Sequence, residues 1–253
     1  MKISIITVVH NNVATIGDAI DSVAKQTYSN IEHIIIDGGS TDGTVDKIQS
    51  NKKSIDKFVS EKDNGIYDAM NKGIAIATGD IIGILNSDDV YFDENVLENV
   101  IKTFKTNQSD CVYGDLYYVE KNDLTKIVRY WKSSKFKSGS FATGWHPPHP
   151  TFFVKKEIYN KYGLFDLKMK VSADFDLMLR LLEKYQISTA YLSKVLVRMR
   201  TGGQSNKSLK NIIISNQSIL KSFDKYSIKV NKFTYLFYRL IPKIIQMMKK
   251  GNQ

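Results

Sequence analysis

The chain has 253 residues, is 42% hydrophobic and 25% charged, and carries a formal net charge of +10. That length and balance fit one large α/β domain with an appendage and exclude a disordered or fibrous chain. The single cysteine, Cys111, excludes an intramolecular disulfide and a cysteine-built metal site, as fits a reducing compartment. No stretch approaches the roughly 18 to 20 apolar residues that span a bilayer. No signal peptide is expected, because the charged start lacks a sufficient apolar segment and a small-residue cleavage site. The positive excess asks for an anionic partner: nucleic acid, anionic lipid or a phosphorylated substrate. After Asp224 there is no acid, while Lys225, Lys229, Lys232, Arg239, Lys243, Lys249 and Lys250 follow.

In chain order, Lys2 to Val9 is a β-branched run that reads as a buried parallel strand. It ends at a polar corner, His10-Asn11-Asn12. Thr15 to Thr27 reads as a helix with Ile16, Ala19, Ile20 and Val23 on one face. Ile31 to Ile36 is a second strand, closed by Asp37-Gly38-Gly39-Ser40-Thr41-Asp42-Gly43-Thr44. Thr41 or Asp42 can cap a helix over Val45 to Asn51. Phe58 to Ser60 is a third strand, followed by Glu61-Lys62-Asp63-Asn64-Gly65 and a helix over Ile66 to Ala77. Ile81 to Leu85 is a fourth strand, ending at Asn86-Ser87-Asp88-Asp89. Strand, corner and helix in repetition predict a mostly parallel sheet with helices on both faces, which binds ligands beyond the carboxyl ends of its strands.

The second half is more mixed. Asn95 to Thr106 reads as a helix. Cys111 to Asp115, Tyr117 to Val119 and Ile127 to Tyr130 read as strands, with a hairpin turn at Lys121 to Asp123. A loop over Ser133 to Gly144 precedes Trp145-His146-Pro147-Pro148-His149-Pro150, expected to be stiff and extended. Thr151 to Val154 is a strand, Lys156 to Tyr162 a short helix, Asp174 to Tyr185 an amphipathic helix, and Ala190 to Met199 a last strand. Leu209 to Phe223 and Phe233 to Met248 read as helices, the second interrupted by Pro242.

Paired carboxylates at a strand end are one way to hold Mg²⁺ or Mn²⁺ against a phosphate. Taken alone, Asn86 to Asp89 serves equally as a turn. The ordered set of corners resembles the family 2 glycosyltransferases of the GT-A fold. The matching stretches are Ser4 to Asn11, Ile36 to Thr44, Asp63 to Gly73, Leu85 to Asp89, and Ala173 to Leu177 with Arg180. The likeness covers roughly residues 2 to 205 and is nearest to bacterial enzymes of colanic-acid, capsule or O-antigen assembly.

The resemblance implies a nucleotide-sugar-binding half at 1–92, an acceptor-side half at 93–207, and a basic helical extension at 208–253. It implies a nucleotide pocket at Thr7, Val9, Asn11, Asp37, Asp63, Asn64, Gly65, Lys72 and Asp88, with Asp37 on the base and Lys72 toward a phosphate. It places a divalent metal at Asp88 and Asp89, where Asn86 departs from the usual acid and leaves open which of the two is the direct ligand. It makes Asp174 the base that takes the acceptor hydroxyl's proton, with Asp176 as runner-up, although Ala173 replaces the usual glutamate. Both acids equally suit a helix first turn. His146, His149 and Trp145 fall on the acceptor side, the tryptophan either stacking on a sugar or packing in the core. Gly202, Gly203 and Ser205 match a loop that closes over the donor, or simply a turn.

The implied function is an inverting, metal-dependent, non-processive hexosyltransferase in cell-surface polysaccharide biosynthesis, capsule or lipopolysaccharide. It takes a nucleotide sugar, a UDP-sugar first, and a saccharide or polyprenyl-linked acceptor. The tail mixes Phe233, Tyr235, Leu236, Phe237, Leu240, Ile241, Ile244 and Ile245 with cations. Such a helix suits the anionic inner face of a cytoplasmic membrane or packs on the domain. A degenerate, non-catalytic binding module is the alternative. Nucleic-acid binding lacks a helix-turn-helix, zinc or aromatic-basic signature.

Overall fold

The computed structural model of the protein describes residues 1–202, 209–232, 234 and 235. Four strands, β1 (Ile3–Val9), β2 (Ile31–Asp37), β3 (Lys57–Ser60) and β4 (Ile81–Asn86), run parallel in the order β3-β2-β1-β4. Register pairs Val9 with Asp37, Asp37 with Ser60, and Val8 with Asn86. All four polar corners therefore open along one edge of the sheet.

Strand periodicity decides which helix covers which face. Ile6 and Val8 of β1 pack with Ala69, Met70 and Ile74 of α3 (Ile66–Ile76). Ile3 and Ile5 point the other way, onto Ala19 and Val23 of α1 (Ile16–Ala24) and Val100 and Phe104 of α4 (Val96–Asn107). The α3 helix sits close: a Cβ added at Gly73 would stand 2.4 Å from Ile6 Cγ2. Between β2 and β3 lies α2 (Thr44–Ser50), which starts after Gly43 at φ +91°. That left-handed residue takes the cap position expected of Thr41 or Asp42.

The second half extends the same sheet. The strands are β5 (Val90–Tyr91), β6 (Cys111–Glu120), β7 (Asp123–Trp131), β8 (Phe153–Lys155) and β9 (Thr189–Arg200). Antiparallel β8 bridges β4 to β6, β9 pairs parallel with β6, and β7 forms the expected hairpin with β6. The helices are α5 (Lys156–Tyr162), α6 (Ala173–Leu179), continued as a π-helical turn over Arg180–Lys184, and α7 (Leu209–Lys225).

Three expectations are corrected. The two strands read at Cys111–Asp115 and Tyr117–Val119 are one, because register shifts let β6 bend between partners without ending. The short β5 was missed, being too short to show a period. The proline segment is not extended throughout, since His149–Thr151 forms a 3₁₀ turn. The first part of the C-terminal extension packs on the domain: Phe223 is fully buried, 5.8 Å from the Phe175 ring and 5.2 Å from that of Tyr235. The tail at 236–253, which holds most of the helix read at Phe233 to Met248, and the loop residues Gly203 and Ser205 lie outside the described residues. Among the described residues no helix is long and apolar enough to cross a membrane.

Candidate active site

The corners of β1 to β3 are knit by side chains bonding to neighbouring loop backbones. Asp37 is fully buried at the end of β2. Its Oδ2 accepts the N–H groups of Gly39 (3.1 Å) and Ser40 (3.0 Å) and the Ser60 hydroxyl (2.6 Å), and its Oδ1 accepts the Ser40 hydroxyl. The carboxylate assigned by resemblance to a nucleobase here organises the loop. Asn11, at φ 49°, accepts the Thr41 N–H on Oδ1 (2.8 Å), and its own N–H donates to Ser40 Oγ (2.8 Å). A Cβ at Gly38 would lie 2.3 Å from Asp63 Oδ2 and 3.3 Å from His10 Nδ1, so three corners meet within one side chain's reach. Asp63 Oδ1 accepts the Gly65 N–H (2.9 Å), and the exposed Asn64 donates its N–H to Asp68 (2.9 Å).

Other expected pocket residues are placed differently. Thr7 is fully buried with its hydroxyl 3.0 Å from His33 Nε2. Val9 packs with Ile16 and Ile20, contributing to the corner only through its carbonyl, which accepts the Gly38 N–H at 2.9 Å. The Lys72 ammonium pairs with Glu61 at 2.8 Å and Asp68 at 3.5 Å, so its charge is met within the loop instead of waiting for a phosphate.

The acid corner separates its two carboxylates by burial. Asp89 is fully buried, whereas Asp88 is half-buried. Asp89 accepts Asn86 Nδ2 (3.1 Å) and the Arg200 N–H (3.3 Å). Burial, then the neighbouring Asp88 charge, hold its pKa well above the ordinary carboxylate value. This explains Asn86, since a third carboxylate there would repel Asp89 where the amide donates to it. Donating Nδ2 leaves Asn86 Oδ1 buried without a partner among the described residues. Arg200, 6% exposed, braces the corner from behind. Its guanidinium donates to the Asp88 carbonyl (2.7 Å), the Lys121 carbonyl (3.0 Å) and Asp18 (2.5 Å). Asn12 Nδ2 donates to Ser87 Oγ, and Thr15 Oγ1 to the Ser87 carbonyl, both at 2.9 Å.

Across the sheet, Asp174 stands in the first turn of α6, partly exposed, two residues after Ser172 at φ 64°. The Tyr67 hydroxyl donates to its Oδ1 at 3.0 Å. The His149 ring lies edge-on to Phe165 at 5.7 Å, and burial lowers its pKa against the opposing pull of Asp174. Burial raises the pKa of Tyr118, against the pull of Arg129, with smaller contributions from the Asp89 and Asp174 charges. It stacks on Trp131, their centroids 6.2 Å apart and their planes 5° apart. His146 is edge-on to Trp131 at 5.1 Å.

Two acceptor-side candidates are corrected. Trp145 packs against Tyr113, Phe136 and Phe141 at 5.8–6.0 Å, so its ring is part of the aromatic core. Asp176 is fully buried and accepts Tyr226 Oη (2.7 Å) and Lys225 Nζ (3.3 Å), anchoring the end of α7. Tyr67, Tyr118 and Trp131 were not singled out for the site, although Tyr67 lies inside the quoted Asp63–Gly73 stretch. Among the described residues no three ligating side chains cluster as a metal site. A hard cation held jointly with a diphosphate needs only one or two protein oxygens, which Asp88 and the orphan Asn86 Oδ1 can supply.

The parallel sheet with polar corners at its carboxyl edge is that of a GT-A-type α/β fold. The "Glycosyl transferase family 2" model matches residues 4–163, more than half of the chain, and the protein belongs to that family. It is 28% identical over 208 residues to a PGL/p-HBAD biosynthesis glycosyltransferase of Mycobacterium bovis, covering 80% of this chain and 78% of that one. An uncharacterised glycosyltransferase of Mycobacterium tuberculosis is 31% identical over 180 residues, covering 70% of this chain and 68% of the relative. The fold is shared with S. aureus TarS (TM-score 0.69, 19% identity), where the match covers 88% of this chain but only 40% of TarS. It is shared too with mannosyltransferase PcManGT of Pyrobaculum calidifontis, solved with GDP-Man and Mn²⁺ (TM-score 0.66, 18% identity, 94% and 68% covered).

Proposed function

We propose that this glycosyltransferase is inverting, metal-dependent and non-processive. It moves one sugar from a nucleoside diphosphate sugar to a saccharide or lipid-linked saccharide in cell-surface polysaccharide assembly. The observation that carries the reading is Asp174: a partly exposed carboxylate at a helix start, its Oδ1 held by the Tyr67 hydroxyl at 3.0 Å. Such a carboxylate is suited to take a proton from an acceptor hydroxyl. Asp88, the more exposed acid, is the direct ligand in this reading, with Asn86 Oδ1 beside it. A divalent cation there, Mn²⁺ or Mg²⁺, supplies Lewis-acid neutralisation of the departing diphosphate. Asp89 stays behind as a buried acceptor that shapes the corner.

The 1–349 fragment of TarS was solved with UDP-GlcNAc, which favours a UDP-sugar; the GDP-Man of PcManGT makes GDP the competitor. The cationic, aromatic tail supports attachment to the anionic inner face of the cytoplasmic membrane.

A thermal-shift screen of UDP, GDP, CDP and dTDP, each with and without Mn²⁺, tests the donor site. One nucleotide is expected to stabilise the protein only with the metal, and its sugar conjugates then enter hydrolysis and transfer assays. Proton NMR of a transfer product reads the anomeric configuration. Failure of every nucleotide to stabilise the protein would favour the non-catalytic module.

A further inference from the structure

We propose that Tyr67 is a positioning residue for the base. Its hydroxyl fixes Asp174 Oδ1, leaving Oδ2 as the oxygen that takes the acceptor's proton. This inference rests on the transferase reading above and deepens it.

Three observations converge. Tyr67 Oη donates to Asp174 Oδ1 at 3.0 Å, across 107 residues of sequence. No hydrogen bond to Oδ2 exists among the described residues, so the two oxygens are not equivalent. The tyrosine ring is itself held, stacked on Phe165 with centroids 5.6 Å apart and planes 24° apart. Phe165 is locked in turn by Asn71, one helical turn beyond Tyr67. Asn71 Nδ2 donates to the Phe165 carbonyl (2.9 Å), and the Phe165 N–H donates to Asn71 Oδ1 (3.0 Å). Arg180 of the α6 continuation donates to the Gly163 (3.0 Å) and Leu164 (2.5 Å) carbonyls of the same segment. The third observation is that burial and the Asp174 charge hold the Tyr67 hydroxyl's pKa well above its ordinary value. It remains a protonated donor at any working pH and cannot itself be the base.

A carboxylate fixed through one oxygen cannot rotate about its Cβ–Cγ bond, so the second oxygen keeps one direction. In the transfer step the acceptor O–H bond breaks and its proton goes to Oδ2. The acceptor oxygen bonds to the anomeric carbon, and the bond from that carbon to the phosphate oxygen breaks, its electron pair leaving on the nucleoside diphosphate. The α3 helix starts at Ile66, directly after the Asp63–Gly65 corner. The same helix thus shapes the donor loop at its first turn and aims the base through Tyr67. Transferase geometry between two halves of the chain is set by one element.

The test uses the full chain with Mn²⁺ and hydrolysis of UDP-GlcNAc, UDP-glucose and GDP-mannose, followed on whichever the wild type turns over. Tyr67→Phe keeps the ring on Phe165 and removes only the hydroxyl. It is expected to lower kcat about tenfold while donor KM and the affinity for the free nucleotide stay within about twofold, a hydrogen bond's worth of orientation. Phe165→Leu keeps the hydroxyl but loosens the ring, and its kcat is expected to fall about threefold, again with KM unchanged. A wild-type kcat in either variant, or a loss carried by KM, would overturn the proposal. If the wild type hydrolyses none of the three donors and binds no nucleotide, the transferase reading fails instead. If Asp174→Asn is inactive while Tyr67→Phe matches the wild type, only the positioning role fails.

Discussion

The corners of the parallel strands and the surroundings of Asp174 are built differently. The corners of β1 to β3 bond within themselves or to a strand neighbour, as when Asp37 gathers Gly39, Ser40 and Ser60 or Asp63 turns back to Gly65, whereas the acid corner after β4 is braced from β9 by Arg200. Around Asp174 the bonds reach far along the chain: Asp174 to Tyr67, Phe165 to Asn71, and Asp176 to Lys225 and Tyr226. Local corners can be carried from one family member to another as short motifs.

The comparison breaks most visibly at Asp174. Asp174→Asn is expected to lower turnover by about 10³-fold or more while nucleotide affinity holds, since it removes the base and leaves the donor corners intact. Isothermal titration with the nucleotide beside a hydrolysis assay separates the two. Next is the acid corner. Asp88→Ala is expected to weaken Mn²⁺-dependent nucleotide binding about 100-fold without lowering the melting temperature, because Asp88 is half-buried and Asp89 still closes the turn. Asp89→Ala should lower the melting temperature as well, leaving Asn86 Nδ2 and the Arg200 N–H without their acceptor.

The donor side also carries the acid sensitivity. His33, fully buried on β2 against Thr7, has its pKa pushed down from 6.5 to about 4, chiefly by burial. Between those values the unfolded chain holds a proton that the folded chain does not. His33 stabilisation is therefore complete above 6.5 and is lost as pH falls toward 4. Urea unfolding at pH 7 and pH 5 should differ by about 2 kcal/mol from this group. A smaller effect is expected where α3 meets β1. Gly73→Ala forces a methyl against the fully buried Ile6 and should cost about 1–2 kcal/mol in urea unfolding. Because α3 also carries Tyr67, that variant is expected to lose kcat before it loses nucleotide affinity.

Much of this molecule was legible from residues alone. The β1–β4 strands and their helices came within a residue or two at most ends, because β-branched runs and helical stripes are local signals. The nine-residue β7 is mostly exposed and shows no clean period, so it reads short, while the ten-residue β6 reads as two because its register shifts are set by its partners. In the site, Asp37, Asp63, Asp88 and Asp174 were found as motif acids, but their division of labour was not. Burial separates Asp88 from Asp89, and no spacing encodes that. Trp145 and Trp131 are equally tryptophans on paper. Only packing sends the first among Tyr113, Phe136 and Phe141 and leaves the second beside Tyr118.

The sequence by itself determined a parallel sheet with four polar corners at one edge, because strand register brings consecutive strand ends together wherever the connections are right-handed and short. It also determined the family, through the order of those corners. The tertiary structure decided which carboxylates are fully buried and which keep some exposure. It decided that Arg200 braces the acid corner from the far end of β9 and that Tyr67 of α3 bonds Asp174. These rest on distances between residues about a hundred or more apart in the chain. Such distances are fixed by the packing of the whole core, not by any stretch of it.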